Sequence, residues 1–275
     1  MAPLLNLVGA GHVGRTLGRL FAAHGAFTVQ DVLTRSPDSA LDAIAFIGAG
    51  DACGGIEGMR PAQVWMLAVG DDAIGPACAA LAASRPLAGS VVFHCSGAKA
   101  SGELAAARAA GAFVASVHPV RSFADPQAVA DAFAGTWCGV EGDPEALAVL
   151  EPVFAAIGAQ LVRIDPAAKT VYHAAAVFAS NYLVTVLDAA LRAYAAAGVP
   201  ASVARELARP LATEALANVF RIGPEAALSG PVARGDFATV ARQQEAVTRW
   251  DADTGSLYEA LVAPTADLAR RKREV

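Results

Sequence analysis

The spacing of three glycines near the N-terminus constrains the fold more than any other feature of the chain. Gly9, Gly11 and Gly14 occur in NLVGAGHVGRTLGRL, between a short apolar run and a stretch with helical periodicity that opens near His12. In a dinucleotide cradle, the first glycine permits a sharp turn, the second lets backbone approach a pyrophosphate, and the third lets helix and strand pack closely. The pattern therefore predicts an anion site at a helix N-terminus; the competing interpretation is a tight turn without a ligand.

The apolar runs that follow predict a parallel sheet. Each is short and nearly continuous, as in strands buried on both faces, and Ala- and Leu-rich helical stretches separate them. With the first run at 4–9, they are residues 27–34, 63–70, 90–97, 112–119, 136–142 and 160–165. We predict an α/β domain over residues 1–165, with a doubly wound, mostly parallel Rossmann sheet.

The pattern becomes helical after residue 165. Asp165 is a candidate N-cap, and Gly198 is a stop signal. A helix between them would have about 32 residues and a length of roughly 48 Å. We predict an all-α domain over residues 166–275 with this helix as its spine.

Two details are expected within this helical domain. Pro210 should kink the helix that contains it, and Asp236 should cap another helix. We find no strand signal after residue 165.

Composition excludes several classes of function. The net charge is −5, and no basic run occurs before RRKRE near the end of the chain, so no nucleic-acid partner is expected. The four cysteines show neither CxxC nor metal-ligand spacing, which predicts no metal site and a reducing cytoplasm. Residues 174–199 are long enough to span a membrane, but Asn181, Asp188 and Arg192 would be costly in lipid. We expect a buried helix and no membrane.

The end of the second predicted strand indicates the cofactor. Thr34, Arg35 and Ser36 follow this strand, and a guanidinium with two hydroxyls suits the extra phosphate of NADP. An acidic residue there would favour NAD, and Asp31 is the competing candidate, although it lies inside the strand. Arg35 could also be an ordinary exposed arginine.

Later strand ends place further polar residues where open α/β sheets bind ligands. Gly70 lies in AVGDDAI and Ser96 in FHCSGA, and both are candidates to line the cofactor site. His118, in SVHPVRSF, is a candidate for the reaction site, and His94 is a weaker one. The alternative for each histidine is a satisfied structural residue.

Three polar residues of the long helix are candidates for catalysis. Lys169 and His173 are four apart, and Asn181 lies about 80° from His173 at 100° per residue. Burying such groups without partners is costly, so we expect them to face a cleft. Lys169 or His173 would donate a proton and Asn181 would orient a substrate. In the alternative, Lys169 is exposed and His173 packs in a core or interface.

The chain resembles a group of bacterial proteins that pair a Rossmann-like NADP-binding domain with domain of unknown function 2520, often labelled NADP oxidoreductases. The motifs GAGHVG, TRS, HCSGA, HPVRSF, YHAAAVFASNYL and GPVARGD carry this resemblance across nearly the whole chain. More distantly, the chain is similar to the superfamily of ketopantoate reductase, pyrroline-5-carboxylate reductase and 6-phosphogluconate dehydrogenase.

The resemblance implies NADP as cofactor and a helical C-terminal domain used for dimerisation. It carries the cofactor role to Gly9, Gly11, His12, Val13, Gly14, Thr34, Arg35 and Ser36. In the 6-phosphogluconate dehydrogenase group, a helix lysine is followed four residues later by asparagine, whereas this chain has His173 at that place and its asparagine at Asn181. The catalytic assignment therefore transfers poorly.

These observations predict a cytoplasmic, homodimeric NADP-dependent oxidoreductase that reduces a carbonyl or imine of a small metabolite between its two domains. One alternative is a regulatory protein that binds NADP(H) without catalysis. The other is an NADP reductase that depends on a deazaflavin.

Overall fold

A computed structural model describes residues 2–274 of the chain. The chain divides into two compact units, which meet in sequence at Val177 and Phe178. The predicted domain boundary lay earlier, at residue 165. The first unit therefore includes Lys169 and His173, which the sequence analysis had assigned to the helical domain.

The first unit contains one eight-stranded sheet, with strand order β3-β2-β1-β4-β5-β6-β7-β8. Neighbouring strands are parallel except for β6 and β7, which are antiparallel. The strands are β1 (Leu4–Val8), β2 (Thr28–Leu33), β3 (Asp51–Cys53), β4 (Val64–Leu67), β5 (Val91–His94), β6 (Phe113–Pro119), β7 (Trp137–Gly142) and β8 (Gln160–Arg163). The predicted fold class is confirmed. Only β3 was not predicted, because its three residues form no apolar run.

Seven α-helices belong to the described part of the first unit, and together with the sheet they enclose two apolar clusters. Phe21, Phe93 and Phe154 form edge-to-face pairs in one cluster, and Trp65 and Met59 are buried in the other. The helices are α1 (His12–Ala23), α2 (Pro37–Ile47), α3 (Ile74–Ser84), α4 (Ala105–Ala109), α5 (Pro126–Asp131), α6 (Pro144–Ala156) and α7 (Lys169–Val177). This buried apolar surface provides the main driving force for folding of the first unit.

The second unit is helical throughout its described residues, as predicted. Asp236 caps α11, because its side chain accepts a hydrogen bond from the Thr239 amide. In α9, the non-helical backbone angles occur at Gly223 rather than at Pro210, where a kink was expected. The helices are α8 (Leu183–Ala196), α9 (Ala201–Ala227), α10 (Pro231–Arg234), α11 (Phe237–Trp250) and α12 (Ala252–Glu274).

The predicted long helix is not one regular α-helix. Asp165 caps its start and Gly198 ends it with φ of 85°, as expected. Between them, a 3₁₀ turn (Pro166–Ala168) precedes α7, and a π-helical segment (Phe178–Tyr182) separates α7 from α8. A π turn has a wider hydrogen-bond spacing than an α turn, so 100° per residue does not hold through it.

The expectation that this helix is buried was wrong for the single chain. By length and composition alone the run Pro166–Ala196 would suffice to cross a membrane, and only 6% of its most apolar window is buried. Two of its charged residues pair within the second unit: Arg192 lies 2.9 Å from Asp188, and it also pairs with Asp251 at 2.8 Å.

Candidate functional site

The glycine-rich turn has the geometry that its spacing predicts. Gly9 has φ of 91°, and a Cβ there would lie 2.5 Å from the Ala68 carbonyl oxygen, so only glycine fits. A Cβ at Gly14 would lie 2.8 Å from the Gly9 carbonyl oxygen, which shows how closely α1 packs on the turn. No atom lies within 4 Å of a Cβ built at Gly11, so the backbone there is open to a ligand.

A cavity of about 370 Å³ lies beside this turn, at the carboxyl ends of β1, β4, β5 and β6. Gly11 is the N-cap of α1 and provides no side chain to cap it, so the first amides of α1 have no side-chain partner there. Such an N-terminus favours an anion. Seven of the predicted site residues line this cavity: Gly11, His12, Val13, Gly70, Ser96, His118 and His173.

A loop after β6 covers one side of the cavity. The His12 Nδ1 atom lies 2.6 Å from the Phe123 carbonyl oxygen, and both residues line the cavity. Arg121 also lines it and donates to the Ala132 carbonyl and, at 3.3 Å, to Thr136 Oγ1. The loop therefore ties the cavity wall to the start of α1.

The predicted phosphate-binding residues follow β2, next to the glycine-rich turn. Thr34 Oγ1 donates to the Ser36 carbonyl at 2.7 Å, and the Ser36 side chain caps α2 by accepting from the Ser39 amide. Arg35 is exposed and has no ion-pair partner in the described part of the chain. These three residues do not line the cavity. They lie at the carboxyl end of β2, where a dinucleotide bound across the ends of the strands would place its adenosine ribose.

Asp31, the competing residue for a ribose hydroxyl, is committed elsewhere. It is buried in β2, and its carboxylate accepts from Arg60 Nε at 2.9 Å and from the Arg60 amide at 2.5 Å. Arg60 also reaches Asp51 at 2.6 Å. The carboxylate is therefore held by protein donors.

His118, at the end of β6, combines burial with a tyrosine contact. Its Nδ1 atom lies 3.1 Å from the Tyr172 hydroxyl, and the two rings meet edge to face at 5.7 Å. The pKa of His118 is lowered to about 4, mainly by burial and also by the neighbouring His173 and Lys169, against the opposing effect of Asp71. The imidazole is therefore neutral at pH 7.

His173, on α7, brings a polar atom without a partner to the same wall. Its Nδ1 atom is buried and has no hydrogen-bond partner among the described residues. Its ring and that of His118 both lie against Gly97, where a Cβ would collide with His173 Nδ1 and lie 2.7 Å from His118 Nε2. Leaving a buried nitrogen unpaired costs about 1–3 kcal/mol, which a ligand could recover.

Lys169 does not line the cavity, although a catalytic role was predicted. Its side chain is only 1% exposed, and its Nζ atom donates to Ser116 Oγ and to Glu141 Oε1, the latter at 3.3 Å. Glu141 in turn accepts from the Ser101 amide at 2.8 Å and from its hydroxyl at 2.6 Å. Burial lowers the pKa of Lys169, and the charge of Glu141 opposes this effect. The ammonium group therefore has protein partners within a closed network.

Neither Asn181 nor His94 lines the cavity. Asn181 belongs to the second unit, is exposed, and its side chain accepts from Ser180 at 2.9 Å. It lies within the π-helical segment, so the helical angle used to group it with His173 does not apply. His94 is fully buried, with its two ring nitrogens bonded to the Ala100 carbonyl and the Ser96 amide. It is the satisfied structural histidine that the sequence analysis had weighed.

Sequence reasoning missed the partners of the predicted residues. Tyr172 stands beside His173 in YHAAA, and Glu141 ends the strand TWCGVEG. A charged residue in an otherwise apolar strand was a signal for a buried pair, because an unpaired buried charge is costly. The sequence alone does not indicate that the partner of Glu141 is Lys169.

The comparisons with known proteins agree with this architecture. Residues 136–265 match the family described as Domain of unknown function (DUF2520). The resemblance predicted from the sequence is confirmed. None of the curated proteins is significantly similar in sequence to the chain.

Several solved structures share the fold along nearly the whole chain. Protein TM1727 from Thermotoga maritima is 27% identical, with a TM-score of 0.76, and the match covers 98% of this chain and 99% of that one. A reductive aminase from Aspergillus terreus, in complex with NADPH and ethyl-5-oxohexanoate, is 17% identical, with a TM-score of 0.69 and coverage of 100% and 94%. A pyrroline-5-carboxylate reductase from Coxiella burnetii is 14% identical, with a TM-score of 0.60 and coverage of 99% of each chain.

Proposed function

We propose that this protein is an NADP(H)-dependent oxidoreductase that reduces a carbonyl or imine of a small metabolite. The observation that carries the proposal is the composition of the cavity. One wall is the open glycine-rich turn at the start of α1, and another bears His118 and His173. A cavity that joins an anion-binding helix end to two imidazoles suits a cofactor together with a polar substrate.

The residues present fit NADP(H). The amides at the start of α1 would hold its pyrophosphate, and Arg35 with Ser36 would hold its 2′-phosphate. Asp31 is not free to hold a 2′-hydroxyl, which supports NADP over NAD. The Aspergillus terreus reductive aminase, of the same fold, is a complex with NADPH.

The bound cofactor would supply the hydride, and the chain's own residues would supply polar contacts and a proton. His118 and His173 line the cavity, so they are placed to contact a substrate carbonyl or imine. His118 is neutral, so it would act as a hydrogen-bond donor rather than as an imidazolium acid. Because Lys169 does not line the cavity and is paired with Glu141, we assign the proton-donor role to His173.

We also propose that the protein is a soluble, cytoplasmic homodimer that pairs through its second unit. Exposed apolar side chains support this proposal, among them Phe220, Val184 and Leu211, which are 86%, 67% and 65% exposed. Apolar surface of this extent on a helical unit favours burial against another surface. A second copy of the same chain can cover it by two-fold symmetry.

The first experiment is a fluorescence titration of the purified protein with NADPH and with NADH. We expect tight binding of NADPH and weak binding of NADH. Arg35→Ala should weaken NADPH binding by roughly 10- to 100-fold, because a charge-assisted phosphate contact contributes about 1.5–3 kcal/mol. Arg163→Ala, which removes an exposed arginine paired with Glu151, is the matched control and should leave binding unchanged.

The titration separates the alternatives. Failure to bind either nucleotide would overturn the oxidoreductase proposal. If NADPH binds, a screen of carbonyl and imine substrates follows, with His173→Gln expected to reduce turnover without loss of NADPH binding. Binding without turnover of any substrate would favour a regulatory protein, and hydride exchange only with a deazaflavin would favour the other alternative.

A further inference from the structure

We propose that Tyr172 is a positioning residue that fixes the tautomer of His118, so that the neutral imidazole presents its Nε2–H to the cavity. Three residues on three different elements make this arrangement: Gly139 on β7, which leaves room for the phenol, Tyr172 on α7 and His118 on β6. The donor role of His118 toward a substrate rests on the proposed function, whereas the tautomer itself does not.

The first link is between Gly139 and Tyr172. His118 and Gly139 are paired across the antiparallel strands β6 and β7. A Cβ at Gly139 would collide with the Tyr172 hydroxyl and lie 2.8 Å from the ring carbon Cζ, so the glycine leaves room for the phenol. Burial raises the pKa of Tyr172 above its ordinary value. Tyr172 therefore keeps its proton at pH 7.

The second link is between Tyr172 and His118. The Tyr172 hydroxyl has a single O–H donor, which needs an acceptor where the group is removed from water. Across the described residues, the one acceptor within hydrogen-bond distance of this hydroxyl is His118 Nδ1, at 3.1 Å. The Tyr172 O–H thus donates to Nδ1, and the neutral ring carries its proton on Nε2.

The opposite tautomer is less favourable at this position. If Nδ1–H donated to the hydroxyl oxygen, the Tyr172 O–H would have no acceptor. A half-buried hydroxyl proton without an acceptor loses a hydrogen bond that water would otherwise provide. In the Nε2–H tautomer, the Tyr172 O–H has an acceptor and the His118 Nδ1 atom has a donor.

In this tautomer, the His118 Nε2–H faces the cavity, where it can donate a hydrogen bond. His118 Nε2 lies on the Gly97 side of the ring, and both residues line the cavity. An Nε2–H there is a fixed donor in a partly dry site, where a hydrogen bond to developing negative charge is strong. The substrate class that it fits presents an acceptor atom, such as the oxygen of a carbonyl or the nitrogen of a neutral imine.

The test is a long-range ¹H–¹⁵N NMR spectrum of the full-length protein labelled with ¹⁵N-histidine, recorded at pH 7. The chain has five histidines, and His118→Gln assigns the signals of interest by their loss. We expect His118 to show a protonated Nε2 and an unprotonated Nδ1. In Tyr172→Phe, which keeps the ring and removes the hydroxyl, we expect the signals to move toward a mixture of the two tautomers.

Tyr182→Phe is the matched control, because Tyr182 is an exposed tyrosine of the second unit. It should leave the His118 signals unchanged. A protonated Nδ1 in the wild-type protein would overturn the proposal, and so would an unchanged tautomer in Tyr172→Phe. The wild-type spectrum shows which nitrogen of His118 is protonated, even if the Tyr172→Phe variant fails to fold. A protein that shows the expected tautomer but does not bind NADPH would refute the proposed function alone.

Discussion

The two units bury their side chains to very different degrees. In the first unit, two apolar clusters lie against the sheet, and polar groups such as Asn6, His94 and Lys169 are buried among them. In the second unit, the buried side chains of the described residues are those of Ala204, Val240, Thr254 and Ala269. The first unit can therefore hold charges and imidazoles in low-dielectric surroundings, while the second leaves many apolar side chains exposed.

This difference in burial determines what a polar residue can tell us about a binding site. A buried polar group needs a partner, so His173 Nδ1, the buried side-chain atom without one among the described residues, is the observation that a bound ligand would explain. An exposed polar group such as Asn181 is satisfied by water and indicates nothing further. Predictions that perturb buried groups of the first unit should therefore have the larger effects.

The largest expected effect is on the buried ion pair. Glu141→Gln leaves the ammonium of Lys169 buried without a counter-charge, and we expect the free energy of unfolding to fall by about 3–5 kcal/mol at pH 7. The double variant Glu141→Gln with Lys169→Met should recover much of this loss, because it removes both charges. Chemical denaturation of the wild type, both single variants and the double variant measures the coupling. Additive losses would contradict a direct pair.

The next largest effect is a fall in the free energy of unfolding at acid pH, caused by buried histidines of the first unit. All five histidines lie there, and burial lowers the pKa of His94 to about 4, from an ordinary value near 6.5. The unfolded chain takes up this proton at a higher pH than the folded chain does. Stability is therefore complete above pH 6.5 and is lost as the pH falls toward 4, by about 3 kcal/mol for a shift of this size.

Denaturation curves between pH 7 and pH 4 measure this effect. His94→Gln should reduce the dependence and leave the share of His118, whose pKa is also lowered to about 4. His24→Gln, at an exposed histidine, is the matched control whose slope is compared with it. The same slope in the wild type and in His94→Gln would assign the acid sensitivity to other groups.

The smallest expected effect concerns dimer formation, which should respond to a charge introduced in the second unit and not to one introduced in the first. Leu211→Glu, on the exposed face of α9, should weaken the proposed dimer by roughly tenfold, which corresponds to about 1.4 kcal/mol. Val162→Glu introduces the same charge at a 41% exposed valine of β8 and should not change the dimer. Size-exclusion chromatography with light scattering reads the mass. A monomeric wild type would contradict the dimer, and a protein that is soluble only with detergent would indicate a membrane partner.

The sheet could be predicted because its signals are local. Seven apolar runs and the spacing of Gly9, Gly11 and Gly14 follow directly from the needs of buried strands and a sharp turn. The short strand β3 escaped this reasoning, since three residues at a sheet edge need no apolar run. The break in the long helix escaped it as well, because periodicity does not distinguish an α turn from a π turn over five residues.

The residues of the site were predicted only in part. His118 and His173 line the cavity as expected, but the contact between His118 and Tyr172 could not be foreseen, because the two residues are 54 positions apart and meet only in the folded chain. Lys169 has the residue type of a proton donor, and its position in the fold pairs it with Glu141 instead.

From the sequence alone, seven of the eight strands, the sharp turn at Gly9 and the residue types available to the site could be predicted. These properties depend on neighbours in the chain, on side-chain volume and on backbone freedom. The tertiary structure decided which polar groups find partners. Lys169 and Asp31 are held by protein charges, whereas the Nδ1 atom of His173 is left without a partner. Pairing depends on which strand ends and helix faces meet in space, and burial makes each such meeting strongly favourable or costly.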